Sequence, residues 1–405
     1  LGGNRAGEIR LTRWLRNPAV TSEAMVAEAA LRTAQRCAGR HVLAIHDTTV
    51  VRSDGGGGLY LHPTLAVDAE DGTIIGLTHA CFLSRTAGKA ADRRKKPVAD
   101  KESARWLEAA QRAAEICRGA ARLTVVADRE SDIYAAFAAR PPGCDLLVRA
   151  AHNRALADGG RLFASADALP IAGRARLDLP AKPGRPAHTA EVVVRFMTAD
   201  LARPRNGLVE AMPKNLTVTL VDIREPNPQA GLPCLHWRLL TTHKVADAAE
   251  AFAVVELYRR RWAIEQLFRT MKAKGFDIEG MLIEAEAPLR RLVMATLIAA
   301  VSIQQLVHAR DGNDTGCKLR PMTDAFEPED QTLLNAFCSQ LEGKTERQKN
   351  PHPSGSLAYA AWVCARLGGW TGYYGKPGPI VMLQGWRHFQ MAKHGTNALN
   401  AFQDV

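Results

Sequence analysis

The densest run of reactive side chains is Tyr258-Arg259-Arg260-Arg261-Trp262-Ala263-Ile264-Glu265, continuing to Lys272. On one continuous helix at about 100° per residue, Tyr258, Arg261, Glu265 and Lys272 share an arc of about 60°. A phenol, a guanidinium, a carboxylate and an ammonium on one stripe suit a phosphodiester. The cations hold phosphate oxygens and the acid holds a metal ion. The same stripe also fits a solvated salt-bridge face. Two further carboxylates favour the chemical reading. Asp47 and Asp128 each follow a short apolar run, His41 to Ile45 and Leu123 to Ala127, that reads as a buried strand. Two strand-end carboxylates and a third on a packed helix form a cage for two divalent ions. Mg²⁺ prefers hard oxygen ligands and keeps water. Two ions about 3.5–4 Å apart activate the attacking oxygen and stabilise the leaving oxygen of an in-line phosphoryl displacement. A strand-end Asp is also a common turn former or helix cap. Glu130 and Asp132 compete with Asp128, and position at the strand end favours Asp128.

The elements that must hold these groups follow from pattern. Ser22 to Arg40 reads as a helix with Thr21 or Ser22 as N-cap. Strands are expected at His41 to Ile45, Leu59 to Val67 and Thr73 to Leu83, with a tight turn at Gly55 to Gly58 and a turn signal at Asp71-Gly72. A helix over about 101–118, a strand at Leu123 to Ala127, a helix at Ser131 to Ala139 and a strand at Asp145 to Arg149 complete an α/β pattern with a mixed sheet. From about 165 to 236, Pro and Gly at turns and alternating runs such as Glu191 to Met197 and Leu216 to Ile223 predict a separate antiparallel β region. The chain is then helical from about Ala248 to Ala309, and mostly helical from 311 to 405 with a Gly/Pro break at 367–379.

Composition narrows the class. The 405 residues suffice for about two to four domains. With 46% hydrophobic and 23% charged residues the chain is globular rather than disordered. A formal charge of +11 makes nucleic acid a natural partner. The most apolar run, Leu292 to Ile303, is about half of the ~20 residues a membrane span needs, and reads as a buried helix. The eight scattered cysteines show no CxxC pair, which argues against a zinc site or a disulfide framework and for a reducing cytosol. The N-terminus carries no apolar signal core.

Three stretches together resemble a known family: Asp47-Thr48-Thr49, the run Asp128-Arg129-Glu130-Ser131-Asp132-Ile133, and the Tyr-(2)-Arg-(3)-Glu-(6)-Lys spacing at 258–272. They are similar to the DDE cut-and-paste transposases of bacterial insertion-sequence family four, the group containing the transposon-five enzyme. The likeness extends from Arg13-Trp14-Leu15-Arg16-Asn17-Pro18 to the tail at Ser356 to Gly369. It implies an RNase H-like catalytic core interrupted by a β-rich insertion. The implied layout is a remnant of a helical DNA-binding region at 1–40, core at 41–164, insertion at 165–236, core again at 237–310 and a helical dimerisation region at 311–405. The chain would then lack most of the N-terminal domain that reads transposon ends. Asp47, Asp128 and Glu265 carry over as the metal-binding catalytic triad, with two Mg²⁺ or Mn²⁺ ions. Tyr258, Arg261 and Lys272 carry over as DNA contacts, and Arg149 and Arg154 fall near positions that grip end DNA. Trp237, 21 residues before Tyr258, corresponds to a tryptophan that stacks on a flipped base; a core aromatic on a strand is the competing reading. The basic run Arg93 to Lys96 either tracks DNA or is a solvated loop.

The resemblance implies a reaction in which water nicks one strand at the element's end. The freed 3′-hydroxyl then attacks the opposite strand to form a hairpin. A second water opens the hairpin, and the 3′-hydroxyl joins target DNA. No covalent enzyme intermediate is required, so Tyr258 is a phosphate contact and not a nucleophile. Partners would be double-stranded DNA, both ends and target, and a second copy in a homodimer, with no membrane and a location on the bacterial nucleoid in the cytoplasm. Two alternatives are a truncated non-catalytic regulator that pairs with full-length subunits, and an RNase H-like nuclease without strand transfer. Strand transfer on pre-cleaved ends separates the nuclease from the transposase.

Overall fold

The computed structural model describes residues 5–54, 57–85, 104–179, 186–205, 212–228, 231, 234–273, 275–313 and 318–403. In chain order come α1 (Arg5–Arg16), α2 (Ser22–Arg36), β1 (His41–His46), β2 (Thr49–Asp54), β3 (Gly57–Asp68), β4 (Ile74–Arg85), α3 (Ala104–Ile116), β5 (Arg122–Ala127), α4 (Tyr134–Ala138), β6 (Cys144–Arg149) and α5 (Leu162–Ala168). There follow β7 (Gly173–Leu179), β8 (His188–Ala202), β9 (Asn215–Arg224), β10 (His236–Thr241), α6 (Ala248–Arg259), α7 (Trp262–Met271), α8 (Glu286–Ala309), α9 (Asp330–Leu341), α10 (Leu357–Leu367) and α11 (Pro379–Gln403). The fold is α/β with parallel and antiparallel strands and a helical C-terminal region, consistent with an RNase H-like core. The chain divides into two compact units. One comprises Gly39–Asp47 and Gly88–Trp262, the other Leu1–Ala38, Thr48–Ala87 and Ala263–Val405. The basic run Arg93 to Lys96 lies outside the described residues.

The first unit is organised by a sheet. β1, β5 and β6 run parallel. β10 joins β6 antiparallel, and β9, β8 and β7 follow antiparallel. Val42, Leu43, Ala44 and Ile45 are fully buried, as are Val126 and Ala127. Near-continuous apolar runs are what parallel strands covered on both faces require. The antiparallel run is not a separate layer in space, because its strands extend the sheet of the parallel ones through β10. Paired Val194 and Ile223 are buried on one face of that extension, and Leu220 is buried on the other.

In the other unit β2, β3 and β4 form an antiparallel meander. β2 is a strand the sequence reading leaves unassigned, although Thr49-Val50-Val51 ahead of a glycine turn carries a strand signal. α2 and α8 lie against β4. Gly76 makes this approach possible: a Cβ there would stand 2.3 Å from Thr33 Oγ1, whose hydroxyl donates to the Leu77 carbonyl at 2.8 Å. Thr21 caps α2, accepting from the Ala24 amide at 3.1 Å. α8 is the buried helix expected here, but longer than its apolar run. The apolar run Leu292 to Ile303 is the middle of a 24-residue helix, long and apolar enough to cross a membrane by length and composition. Just over half of its most apolar stretch is buried within the fold. Its Gln305 donates to the Ile75 carbonyl at 3.1 Å, and α10 and α11 pack beside it around Leu306, Trp362 and Phe389. A buried core helix accounts for it.

Candidate active site

Parallel register builds the first row of the site. β1 and β5 pair as far as Ile45 opposite Val126. The same register continued sets Asp47 opposite Asp128, each one residue past its strand. β5 and β6 pair as far as Ala127 opposite Val148, which sets Asp128 opposite Arg149, the last residue of β6. In-register residues of neighbouring parallel strands share a face, about 4.8 Å apart. Two carboxylates and a guanidinium therefore stand side by side at the carboxyl ends of three parallel strands, where open α/β sheets gather their chemistry. Asp128 precedes the short turn Arg129–Ser131, yet its side chain makes no capping hydrogen bond. The helix-cap explanation for this residue fails.

β10 and α6 close over that row. Leu239 pairs with Arg149, so Trp237, two residues away on β10, shares the face. Half-buried Trp237 meets the Tyr258 ring edge-on, with centroids 5.5 Å apart and planes at 65°. Tyr258 is 5% exposed, and its hydroxyl donates to Asp128 Oδ1 at 3.4 Å. Arg261 Nη1 donates to Asp47 Oδ2 at 3.0 Å, and its Cζ lies 5.9 Å from the Tyr258 ring centre. Arg149 Nη2 donates to the His236 carbonyl at 3.1 Å.

The charges shape one another. Burial pushes the Tyr258 hydroxyl far above its ordinary range; the Asp128 carboxylate adds to this, and Arg261 and Arg149 oppose it. The phenol keeps its proton and is a donor. Burial also pulls the Arg149 guanidinium below its usual range, with Arg129 and Arg261 acting the same way and Tyr258 and Asp128 opposing.

α3 supports the strand ends from the opposite face. Trp106 meets His46 edge-on at 4.7 Å, immediately before Asp47 in the chain. Arg105 lies over the Trp106 ring at 4.8 Å and donates to Glu130 at 2.9 Å. Glu130 is thereby engaged outside the row. Asp132, the other competing acid, has a fully buried side chain that accepts from the Ala151 and His152 amides at 2.8 and 3.0 Å and from Arg154 Nε at 3.1 Å.

Two expectations change here. The stripe from Tyr258 to Lys272 does not lie on one helix. α6 ends at Arg259 and α7 begins at Trp262; between them the Arg261 amide bonds three residues back, to the Tyr258 carbonyl at 3.0 Å. That tightened turn interrupts the 100° step, so the four side chains do not share one helical stripe. Arg154, expected near positions that grip end DNA, is turned inward instead. Its side chain is 10% exposed and committed to Asp132.

In the other unit, Glu265 sits half-buried in the first turn of α7. Lys272 lies just past that helix, with its ammonium 2.7 Å from Glu279 Oε1. Arg129, which the motif reading passes over, is exposed directly beside Asp128. Its only sequence signal is that adjacency.

The donor set fits a hard divalent cation. Asp47 and Asp128 offer carboxylate oxygens from neighbouring strand ends, and Asp47 is 25% exposed. Among the described residues no three His, Cys, Asp or Glu side chains converge as a ready-made metal cluster. The seven described cysteines are all free thiols.

A model of the transposase DDE domain matches residues 38–302, a span that begins just before β1 and runs into α8. It covers well over half of the chain and every residue of the row, so the chain belongs to the DDE transposase family.

Proposed function

We propose that this protein catalyses cut-and-paste transposition of a bacterial insertion sequence of the family-four, transposon-five type, with Asp47, Asp128 and Glu265 as its metal-binding acids. Family membership makes it a DNA-acting transposition enzyme, in a family that uses divalent metal ions. The finer reading rests on one observation above others: Asp47, Asp128 and Arg149 lie at the ends of three neighbouring parallel strands, where Tyr258 donates to Asp128 and Arg261 to Asp47. Acids for metal and cations for phosphate, in one small area, suit in-line displacement at a phosphodiester.

The chain's own groups have distinct tasks in this reading. Arg261 neutralises Asp47 and, with Arg149, holds non-bridging phosphate oxygens. Tyr258 keeps its proton and donates one hydrogen bond, to Asp128 or to a phosphate. Trp237 offers a half-exposed indole against which a flipped base stacks while a hairpin forms. Glu265 would supply the third acid, and Lys272 a further cation, as the family likeness implies. Arg154 acts through the loop it ties to Asp132. When bound, two divalent ions would activate the attacking oxygen and stabilise the leaving one. Water cuts the first strand, the freed 3′-hydroxyl forms the hairpin, water opens it, and the same hydroxyl joins target DNA. The C-terminal helices serve dimerisation, for which the exposed Ile380 and Met391 of α11 are available.

The test uses a supercoiled plasmid carrying the gene with its flanking DNA. Mg²⁺- or Mn²⁺-dependent nicking followed by joined products is expected. Nicking that persists in both the Asp128→Ala and the Glu265→Ala proteins would remove the site assignment, and hydrolysis without joined product would reduce the protein to a nuclease.

A further inference from the structure

The turn that follows β5 is tied down almost completely. Asp128 accepts from Tyr258, and Ser131 Oγ donates to the Asp128 carbonyl at 2.9 Å. Glu130 is held by Arg105, and Asp132 by two amides and Arg154. Between these anchors the Arg129 side chain is exposed, and it has no hydrogen-bond or ion-pair partner among the described residues. A rigid turn thus presents a single loose guanidinium next to the Asp47, Asp128, Arg149 row. Its planar fork matches two oxygens of one phosphate. Arg149 and Arg261 are half-buried and already hold internal partners, so they are placed for the phosphate that sits in the site. Arg129 is exposed next to Asp128 in the chain, and its charge is close enough to Arg149 to help pull that guanidinium below its usual range.

We propose that Arg129 is a DNA-positioning residue that grips the phosphodiester next to the one that is cut. The inference rests on the proposed reading of the Asp47–Asp128 pair as the cleavage site. Arg129 fixes the register of the strand across the carboxylates, so that the scissile phosphate and not its neighbour lies over them.

The experiment compares Arg129→Ala, Arg129→Lys and Asp128→Ala in the whole chain, with Arg118→Ala as a control that removes another exposed cation, just past α3. Binding to a short DNA duplex is measured without divalent metal at several salt concentrations. Nicking is measured with Mg²⁺ on the plasmid carrying the gene and its flanks. For Arg129→Ala, nicking should fall about 10- to 100-fold, the range expected for one charged hydrogen bond. The slope of log affinity against log salt should shrink by about one phosphate contact. Arg129→Lys should restore the slope but only part of the rate, because an ammonium cannot hold two oxygens in a fixed plane. Arg118→Ala should change neither. Parental nicking and salt slope in Arg129→Ala, while Asp128→Ala is inactive, overturns this inference and leaves the site reading intact. Full nicking in Asp128→Ala overturns both.

Discussion

Replacing Arg154 by Ala separates a structural role from a DNA-binding one. Asp132 is fully buried, and three groups supply its hydrogen bonds: two backbone amides at 2.8 and 3.0 Å and the Arg154 guanidinium, which also reaches the Asp132 carbonyl. Removing one partner of a buried ion pair costs about 3–5 kcal/mol, because the remaining charge is stranded. The two amides still solvate the carboxylate, so the lower end, about 3 kcal/mol, applies. Urea unfolding followed by tryptophan fluorescence reads this as a lower midpoint with an unchanged slope. Adding Asp132→Asn to Arg154→Ala should recover part of the loss, since the amide oxygen still accepts from the backbone while the uncompensated charge is gone. Under conditions where the variant stays folded, metal-free DNA binding should match the parent. Arg149→Ala should show the opposite profile, losing affinity with little loss of stability beyond its one bond to the His236 carbonyl. An Arg154→Ala protein that is as stable as the parent but binds DNA weakly would refute the reasoning. It would mean that this guanidinium leaves Asp132 to hold a phosphate.

Other outcomes follow from the same geometry. Asp47→Ala, Asp128→Ala and Glu265→Ala should each lower metal-dependent nicking by roughly 10³-fold or more, with metal-free duplex binding retained. Tyr258→Phe keeps the ring against Trp237 and should lower nicking by about 10-fold for one lost charged hydrogen bond; because burial holds the phenol's proton, the parent's rate between pH 8 and about 10 should show no falling limb that the variant lacks. His243 gives a stability test. Burial lowers its pKa from 6.5 to about 4, so between those values the unfolded chain binds a proton that the folded one does not. Stability should then be full above pH 6.5 and decline by about 3 kcal/mol on acidification towards pH 4, and His243→Gln should flatten that decline in urea unfolding.

The parts of the site that were legible in the sequence are those whose geometry follows from local periodicity. A strand repeats every two residues, so an acid one step past an apolar run has a fixed direction, which singled out Asp47 and Asp128 as candidates, and the motif likeness joined them to Glu265. Thr21 as a cap and the antiparallel pattern after 165 were readable in the same way. Long-range pairing was not. That Arg149 stands beside Asp128 depends on β6 lying next to β5 in register, and that Trp237 shares their face depends on β10 pairing with β6. The joining of the antiparallel strands to the same sheet is hidden for the same reason. Arg154 shows a different limit. A motif position reports a residue type, whereas the partner that claims the side chain, here Asp132, is decided by burial.

The helix break at Arg260 and Arg261 sets where Tyr258 and Arg261 reach. The arc from Tyr258 to Lys272 assumed one helix, and a turn of tightened hydrogen bonding interrupts it. Without the break, Arg261 would keep the helical step from Tyr258. With it, Tyr258 closes α6 against Asp128, and Arg261 swings from the turn onto Asp47. Each strand-end acid is then met by a donor of its own, one neutral and one charged. A continuous helix is fixed at about 1.5 Å per residue and offers no such independent adjustment. The spacing between the tyrosine, the arginine and the glutamate therefore spans two short helices and the turn between them. Inserting one alanine between Arg260 and Arg261 tests this. It should uncouple Arg261 from Asp47 and cost nicking, while leaving the sheet and its unfolding midpoint close to those of the parent.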